Sequence, residues 1–556
     1  MKKISLKSLF WGAAIYHGFW LYVGSQLNSY DASTHCFFAS HLIKHWFETW
    51  NTGWYGGFDQ FTYPPLSHQI IALTGFILPI EKAYSVVQFF VLLYLFWGLQ
   101  RYSSIWISKK CSYIAFAFGV LSSSVAQLTY QYGQFPMLFS SAFLLHSSTD
   151  FSHWLKSGKW PFGLSSVLAL LVVFLSHHFA FTFGTLTFFF PVLMRNLSPD
   201  YKVQLKRVIM VIMAFGLLAL PLGLEFFFFT SKSPMLQAVI PHGSRDNFLE
   251  NLPSLIIFFL YPYGFLLLFG PVVFFKLSGK KDYRVLLTTA LIMIVLGLGG
   301  TTPVSRWVLG PFFDLVTLDR FSFWAGLLLI PGLALVVEGF GKKGFQLLTI
   351  LAFLTFQMVL IEVLFPVSLP QVANLDIQPV IQFLNSEDNN RYRYLTLGFG
   401  PKIGFVAAHT NASSIDGYYH FARPIPELRA SGIEALDGAD HYGGRGLQVL
   451  RGFLESPQKF KLGWVFSRGT DYDFLLASTG WTRFKKWEGI TLWAHSEIPS
   501  LDAEDFISKS GHPRWVVLLW GASPFFFLCA LLSQIGASVF QRRSCRGQIQ
   551  SARPIQ

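Results

Sequence analysis

The side chains with the most chemistry in this chain fall between its apolar runs. Asp31 and His35 stand four apart in SYDASTHCFFASHLIKHWF, the spacing that puts two side chains on one face of a helix. An acid held among aromatic rings at the edge of a membrane is partly desolvated, which raises its pKa and strengthens its interactions. Two uses are open to Asp31: a working carboxylate, or the cap of the surface helix that ASTHCFFASHLIKHWF reads as. His177 and His178 adjoin in LSHHF and could meet a phosphate or a metal, or be satisfied within a turn. Arg306 in TTPVSRW and Arg320 in LDRFSFW lie at helix ends, where a guanidinium can grip a lipid phosphate with two parallel bonds. The pair Asp319–Arg320 could equally serve as a helix start. His242 and Arg245, in PHGSRD, form a weaker set of the same kind. Glu225, Glu338 and Glu362 sit in or beside apolar runs, where a carboxylate is costly to keep; Glu225, next to four phenylalanines, is the one most worth testing.

Tight turns must position these groups. TGWYGGF places two glycines among aromatic residues, so that Trp54 and Tyr55 could offer ring faces to a sugar or a lipid head group, with Asp59 close behind. TYPPL, beginning at Thr62 and carrying Tyr63, is a rigid extended entry into the next apolar stretch. YQYGQFPM makes a further turn that carries Gln134, and Pro136 opens the helix after it.

The frame for these turns is a membrane. Of 556 residues, 52% are hydrophobic and 13% charged, about half the charged share of a typical soluble domain. The mean hydropathy is +0.43. Apolar runs fall near 9–27, 84–100, 112–128, 135–148, 162–177, 179–194, 208–228, 254–275, 285–299, 321–340, 344–366 and 515–540, many about long enough to span a bilayer. The stretch 66–80 is apolar but short. The net charge of +13 does not indicate nucleic acid, because the Lys and Arg residues sit in short loops between these runs. They fit cytoplasmic loops and anionic lipid heads. Placing Lys2/Lys3/Lys7, Arg101/Lys109/Lys110, Lys156/Lys159, Lys202/Lys206/Arg207, Lys280/Lys281/Arg284, Lys342/Lys343 and Arg542/Arg543/Arg546 on the inside gives about twelve transmembrane helices with both termini cytoplasmic. The first run reads as a retained signal anchor.

The expected organisation is a mainly α-helical polytopic membrane domain over 1–366, with a first external loop at 28–65. A small extracytoplasmic α+β domain follows at 367–513, then a last transmembrane helix at 514–541 and a basic cytoplasmic tail at 542–556. Within the polar segment, Tyr392–Leu397, Tyr472–Leu476 and Gly489–Ala494 read as strands, and FLLASTGWTRFKKWEGITLWAH as two strands around a turn. The four cysteines have no CxxC or metal-ligand spacing and predict no disulfide framework.

The order of these features carries a resemblance. An Asp after the first span, a helical stretch, then Trp–Tyr–Gly–Gly and Tyr–Pro–Pro–Leu resembles the first external loop of the GT-C type membrane glycosyltransferases, especially their bacterial branch. The motif-level match is confined to these short stretches, and the rest agrees in outline. The resemblance implies transfer of a sugar from a polyprenyl-phosphate carrier to an acceptor on the outer face of a membrane, with the bacterial inner membrane the first expectation. It implies Asp31 as the catalytic acidic residue. Around it His35, Trp54, Tyr55, Asp59, Tyr63, Gln134, His177, His178, Glu225, Arg306 and Arg320 would contact substrate.

The sequence departs from the family in two places. No DxD pair stands in the first loop, so no metal is expected as a requirement, although a divalent ion stays open. The basic residue that some members place before Pro–Pro is Tyr63 here, which puts the type of donor in question. Two other classes share the outline: a non-catalytic membrane partner that kept the scaffold, and a transporter or flippase of a lipid-linked glycan. Against the transporter, no internal repeat is visible, and the polar residues gather toward one face. The acceptor, whether glycan, lipid or protein, is not legible.

Overall fold

The computed structural model describes residues 5–197, 201–232, 237–341, 346, 350, 375–386 and 388–551. Glu362, Lys2, Lys3, Lys342, Lys343 and nearly all of the run 344–366 lie outside the described residues, and so does the expected boundary at 366.

The first half is a helix bundle. Its elements are α1 (Leu6–Tyr22), α2 (Ala32–Lys44), α3 (Leu66–Gly75), α4 (Ile80–Trp106), α5 (Lys109–Val120), α6 (Ser123–Tyr130), α7 (Phe135–Ser157), α8 (Trp160–Phe174), α9 (Thr185–Asn196) and α10 (Tyr201–Lys232). Helix starts follow local chemistry. The Ser5 hydroxyl accepts from the Ser8 amide at the head of α1, and Ser108 caps α5. Pro136 and Pro161 occupy first-turn positions of α7 and α8, where a missing N–H costs nothing. Helices α4 and α7 pack closely: a Cβ at Gly98 would come within 2.8 Å of the His146 ring.

Among the described residues, five helices are long and apolar enough to cross a membrane: Ile80–Trp106, Lys109–Tyr130, Tyr201–Phe228, Asp319–Gly339 and Arg514–Gln541. A sixth is gained if Leu252–Tyr263 and Leu266–Leu277, bent by 57°, are one broken span. The expected runs near 9–27 and 162–177 lie on helices of only 17 and 15 residues, and the run near 179–194 on a π-helical turn, Ala180–Gly184, continued by Thr185–Asn196. Where the spans pack tells what surrounds them. Asp319–Gly339 has 89% of its apolar window buried in protein, whereas Tyr201–Phe228 has 17% and Arg514–Gln541 28%. Apolar helices left that bare need lipid around them, since water would not tolerate so large a patch. The chain is an integral membrane protein.

The later polar segment carries a four-stranded mixed sheet; β1 (Trp50–Asn51) and β2 (Phe58–Asp59) form a separate ribbon in the first loop. In the sheet, β3 (Arg393–Leu397) runs parallel to β4 (Leu462–Arg468), which pairs antiparallel with β6 (Ile490–Ala494), and β5 (Thr482–Trp487) closes the edge. Leu395 faces Val465 and Phe466 faces Leu492. The exposed edge strand carries Arg483, Lys485 and Lys486, a composition that discourages pairing with another chain. Two of the expected strands form, and the 482–494 hairpin turns at Glu488–Gly489. Tyr472–Leu476 does not: Asp473–Ser478 is a short helix. A four-residue apolar run such as FLLA fits either state, and here Asp473 in the first turn and Gly480 at φ +90° favour the helix.

The first loop and the polar segment share one core. Phe37, Phe38, Trp54, Tyr55 and Phe58 are buried against Leu395, Leu397, Ile415 and Tyr419. The Tyr55 hydroxyl donates to the Gly417 carbonyl at 2.7 Å, and a Cβ on Gly417 would strike the Trp54 ring at 2.5 Å. Lys44 bonds Asn411 at 2.9 Å, and Glu81, at the head of α4, pairs with His409. The head of α4 and the polar segment therefore lie at the same end of the bundle. Arg101, twenty residues along α4, is roughly 30 Å away at the other end.

Candidate functional site

Asp31 sits at the junction of the bundle and the polar segment. It precedes α2 with helical dihedrals (φ −91°, ψ −7°), and its side chain makes no capping bond. The backbone is pinned instead. The Tyr30 and Asp31 amides donate to the Gln131 and Tyr132 carbonyls at 2.8 and 2.9 Å, and the Asp31 carbonyl accepts from the His35 amide. The Tyr130–Gln134 turn presses so closely that a Cβ on Gly133 would lie 2.9 Å from the Ala32 nitrogen and 3.1 Å from the Asp31 nitrogen. Gly133 also has φ +68°, which glycine adopts without strain. The local sequence thus leaves the carboxylate free and fixes the chain beneath it.

The groups around Asp31 come from the helix Asp319–Gly339, the Gly133 turn and the polar segment. Arg320, in the first turn of Asp319–Gly339, is near enough for its charge to act on Asp31, Tyr63, His177 and His242. Its guanidinium lies 5.0 Å over the Phe179 ring, and its Nε has no hydrogen-bond partner. Gln134 donates from Nε2 to Asp319 Oδ2 at 3.0 Å, leaving Asp319 Oδ1 and Gln134 Oε1 without partners. Glu434, from the polar segment, lies against Tyr30 and adds its charge to the surroundings of Asp31. Burial raises the Asp31 pKa to about 7; Arg320 opposes the rise, and Glu434 and Asp319 add to it. A carboxylate in that range is matched to proton transfer near neutrality.

Other residues singled out from the sequence have different surroundings. His35 is buried, accepting from His68 Nε2 at Nδ1 (2.9 Å) and donating from Nε2 to the Gly133 carbonyl (2.9 Å). Burial lowers its pKa to about 3, so it is a neutral strut between α2, α3 and the Gly133 turn. Trp54 is fully buried and Tyr55 nearly so; their rings meet protein, not an open face. Tyr63 packs on Phe38, His68 and Tyr419 beside Asp31 and Arg320. His177 accepts the Ala180 amide at Nδ1 and lies near Arg320. His178 rests against Phe226 in a narrow apolar cleft with Phe61, Pro64 and Trp520. Arg306 turns away, spread over Phe313 and paired with Asp314 at 3.4 Å. Asp59 and Glu225 meet each other's partner: His512 donates from Nε2 to Asp59 and from Nδ1 to Glu225, both at 2.8 Å.

Sequence reasoning passed over Tyr30, Glu434 and His512. Glu434 stood in SGIEALDGADHYGG and His512 in SGHPRW, both polar and glycine-bearing, but only the folded chain shows what they meet. Arg423, Asp416 and His420, in IDGYYHFARP, form a further layer. Arg423 Nη1 donates to the Ile433 carbonyl at 2.7 Å while Nε and Nη2 have no partner, and burial lifts Asp416 to about 7. Among the described residues, no three His, Cys, Asp or Glu side chains gather into a metal-ligand set.

No protein-family model and no curated protein sequence matches the chain. Solved structures do resemble it. ArnT from Cupriavidus metallidurans bound to undecaprenyl phosphate aligns with a TM-score of 0.52 at 10% identity, over 90% of this chain and 99% of that one. The apo form of the same protein gives 0.52 at 10% identity, over 87% and 98%. The apo oligosaccharyltransferase from Archaeoglobus fulgidus gives 0.49 at 11% identity, over 90% and 75%. The ArnT likeness runs through nearly the full length of both chains, so the bundle and the polar segment match together. The chain has the fold of the GT-C type membrane glycosyltransferases, which its first loop led us to expect.

Proposed function

We propose that the protein is a membrane glycosyltransferase that moves a sugar from a polyprenyl-phosphate carrier to an acceptor hydroxyl on the outer face of the membrane. The observation that carries this reading is Asp31: a carboxylate with a pKa near 7, bound to no cap, beside an arginine with an unused Nε at the junction of two structural units. The ArnT fold neighbour, which binds undecaprenyl phosphate, supports a donor of that class.

In the proposed reaction Asp31 takes the proton of the acceptor hydroxyl as its oxygen attacks the anomeric carbon. The bond from that carbon to the carrier phosphate breaks, and the phosphate leaves with the electron pair. One displacement inverts the anomeric centre. Negative charge grows on the leaving phosphate, and Arg320 stabilises it electrostatically. Asp319 and Gln134 hold the start of the Arg320 helix against the Gly133 turn, and so keep Arg320 and Asp31 in register. The carrier tail lies along the lipid-facing helices, and the lysine-rich loops stay cytoplasmic.

General-base help of this kind is worth roughly 10²–10⁴ in rate. Asp31→Asn keeps the shape of the side chain and removes the base. Purified in detergent and given polyprenyl-phosphate sugar, it should lose transfer while keeping the elution profile of the wild type. Full transfer by that variant would end the proposal.

A further inference from the structure

A cavity of about 610 Å³, within the volume range of small-ligand sites, reaches the residue next to Asp31. Tyr30, the residue before Asp31, lines it together with Tyr418 and the loops after β3, around 434–442 and after β4. Two kinds of group line it. Four carboxylates, Glu434, Asp437, Asp440 and Asp471, face a single arginine, Arg468. Tyr30, Tyr418, Tyr442 and Tyr472 supply rings, with Tyr30 set edge-on to Tyr418 at 5.5 Å.

The carboxylates divide by what they already do. Asp437 is occupied by the Phe399 and Gly400 amides at 3.1 and 2.6 Å, and Asp440 by the Tyr472 hydroxyl at 2.7 Å. Glu434 meets Tyr30 and still has acceptor capacity, and Asp471 stands exposed at the rim. Glycines at 398, 400 and 469, all with positive φ, leave the wall without side chains at three points, so a ligand can approach the backbone.

Acceptor oxygens beside aromatic faces suit a molecule that donates many hydroxyls and has apolar C–H faces. They repel a phosphate or a uronate, since four carboxylates outnumber one guanidinium. We infer that this cavity binds the acceptor and that the acceptor is a neutral saccharide, its reactive hydroxyl delivered past Tyr30 to Asp31. The inference rests on the glycosyl-transfer reading and adds the acceptor's class to it.

The test uses the full chain in detergent and no donor. Neutral gluco-, galacto- and manno-configured tri- and tetrasaccharides are presented, with their uronate and phosphorylated counterparts, and contact is read by saturation-transfer NMR. The expected result is binding of at least one neutral sugar, weaker or absent binding of its anionic counterpart, and a loss of about tenfold in Glu434→Gln, matching one hydrogen bond to a charged group. Asp471→Lys, at the exposed rim where folding is not at stake, should weaken the neutral sugar and improve the anionic one. Binding by no member of the panel, preference for the anionic sugars, or unchanged binding in both cavity variants overturns the inference. Transfer by Asp31→Asn would instead overturn the reaction, so the two failures are told apart.

Discussion

At the end of α4 remote from Asp31, Arg101 lies in protein, and no side-chain nitrogen or oxygen of Arg101, His146 or Asp150 is buried without a partner. The Arg101 terminal nitrogens reach His146 Nδ1 and Asp150 Oδ1; Asp150 Oδ2 accepts from Ser165 at 2.6 Å, and His146 Nε2 donates to the Tyr94 carbonyl at 3.1 Å. The cluster around Asp31 also combines an arginine, carboxylates and a histidine, in Arg320, Asp31, Asp319 and His177. There, Asp319 Oδ1, Gln134 Oε1 and Arg320 Nε have no partner, and Asp31 does not cap its helix. Unpaired buried polar atoms cost about 1–3 kcal/mol each. A fold that completes one such network and leaves the other open, at opposite ends of the same helix bundle, separates a structural ion pair from a site awaiting a ligand. The type of residue does not make this distinction; the number of unused hydrogen-bonding positions does.

Substitutions in the two clusters should therefore fail in different ways. At Asp31, the Asn variant should lose transfer by roughly 10²–10⁴ with stability nearly unchanged, because no bond within the protein depends on that carboxylate. At Asp150, the Ala variant should cost about 3–5 kcal/mol, since Arg101 is then buried without its counter-charge. The sharper form of the comparison is the double variant Arg101→Met with Asp150→Leu. A pair retained for structure alone can be replaced by apolar groups of similar size at little cost. Thermal unfolding in detergent should return to near the wild-type midpoint in the double variant, and transfer should survive. If the double variant folds but cannot transfer, the inner cluster has a functional role and the contrast breaks.

His512 lies between these extremes. Its side chain is buried and ties together the first loop, the C-terminal part of α10 and the approach to the last span, through Asp59 and Glu225. Both ring nitrogens donate, which requires the imidazolium. Burial works against that charge, but the two carboxylates more than reverse it, and the folded pKa is raised above 6.5. The stabilisation is then fully present below pH 6.5 and is lost as pH rises through the raised value. His512→Gln can donate to only one of the two acids. It should lower stability by about 1–3 kcal/mol in mildly acidic buffer and by less in alkaline buffer, measured as the shift in melting temperature across pH. A penalty that grows toward alkaline pH would contradict the imidazolium assignment.

Much of the frame was legible before any coordinates. The helix after Asp31 followed from the spacing of ASTHCFFASHLIKHWF, and the 482–494 hairpin from its turn residues. Arg320 was singled out as an arginine at a helix end and Gln134 from its turn, and the structure brings the Gln134 side chain to Asp319, the neighbour of Arg320. Trp54 and Tyr55 show the limit. Aromatic rings beside glycines look the same in sequence whether they face solvent or a second unit, and here the polar segment covers them. Glu225 was picked out as a costly acid and Asp59 as an acid behind the glycine turn, but the histidine that explains them lies 287 and 453 residues away in the chain. Glu434 escaped notice for a similar reason. Its loop is rich in acid and glycine, which reads as solvated surface until Tyr30 is placed against it.

The smallest expected effect is the most specific to the open cluster. Asp31 must be ionised to accept a proton, so transfer should fall as pH drops through about 7, giving a rate limb at the pKa of that carboxylate. Its neighbours act on that pKa in opposite directions. Arg320 holds it down, so Arg320→Met should carry the limb to higher pH as well as weaken use of the donor. Glu434 pushes it up, so Glu434→Gln should carry the limb to lower pH even as acceptor binding weakens. A general fault in folding or substrate affinity would lower the rate without moving the limb, and no such fault would move it in opposite directions in two variants. The check is the pH dependence of kcat/KM in each, with saturating carrier. A limb that stays in place in both would remove Asp31 as the titrating base even if Asp31→Asn is inactive. The open cluster would then hold the substrates without taking the proton.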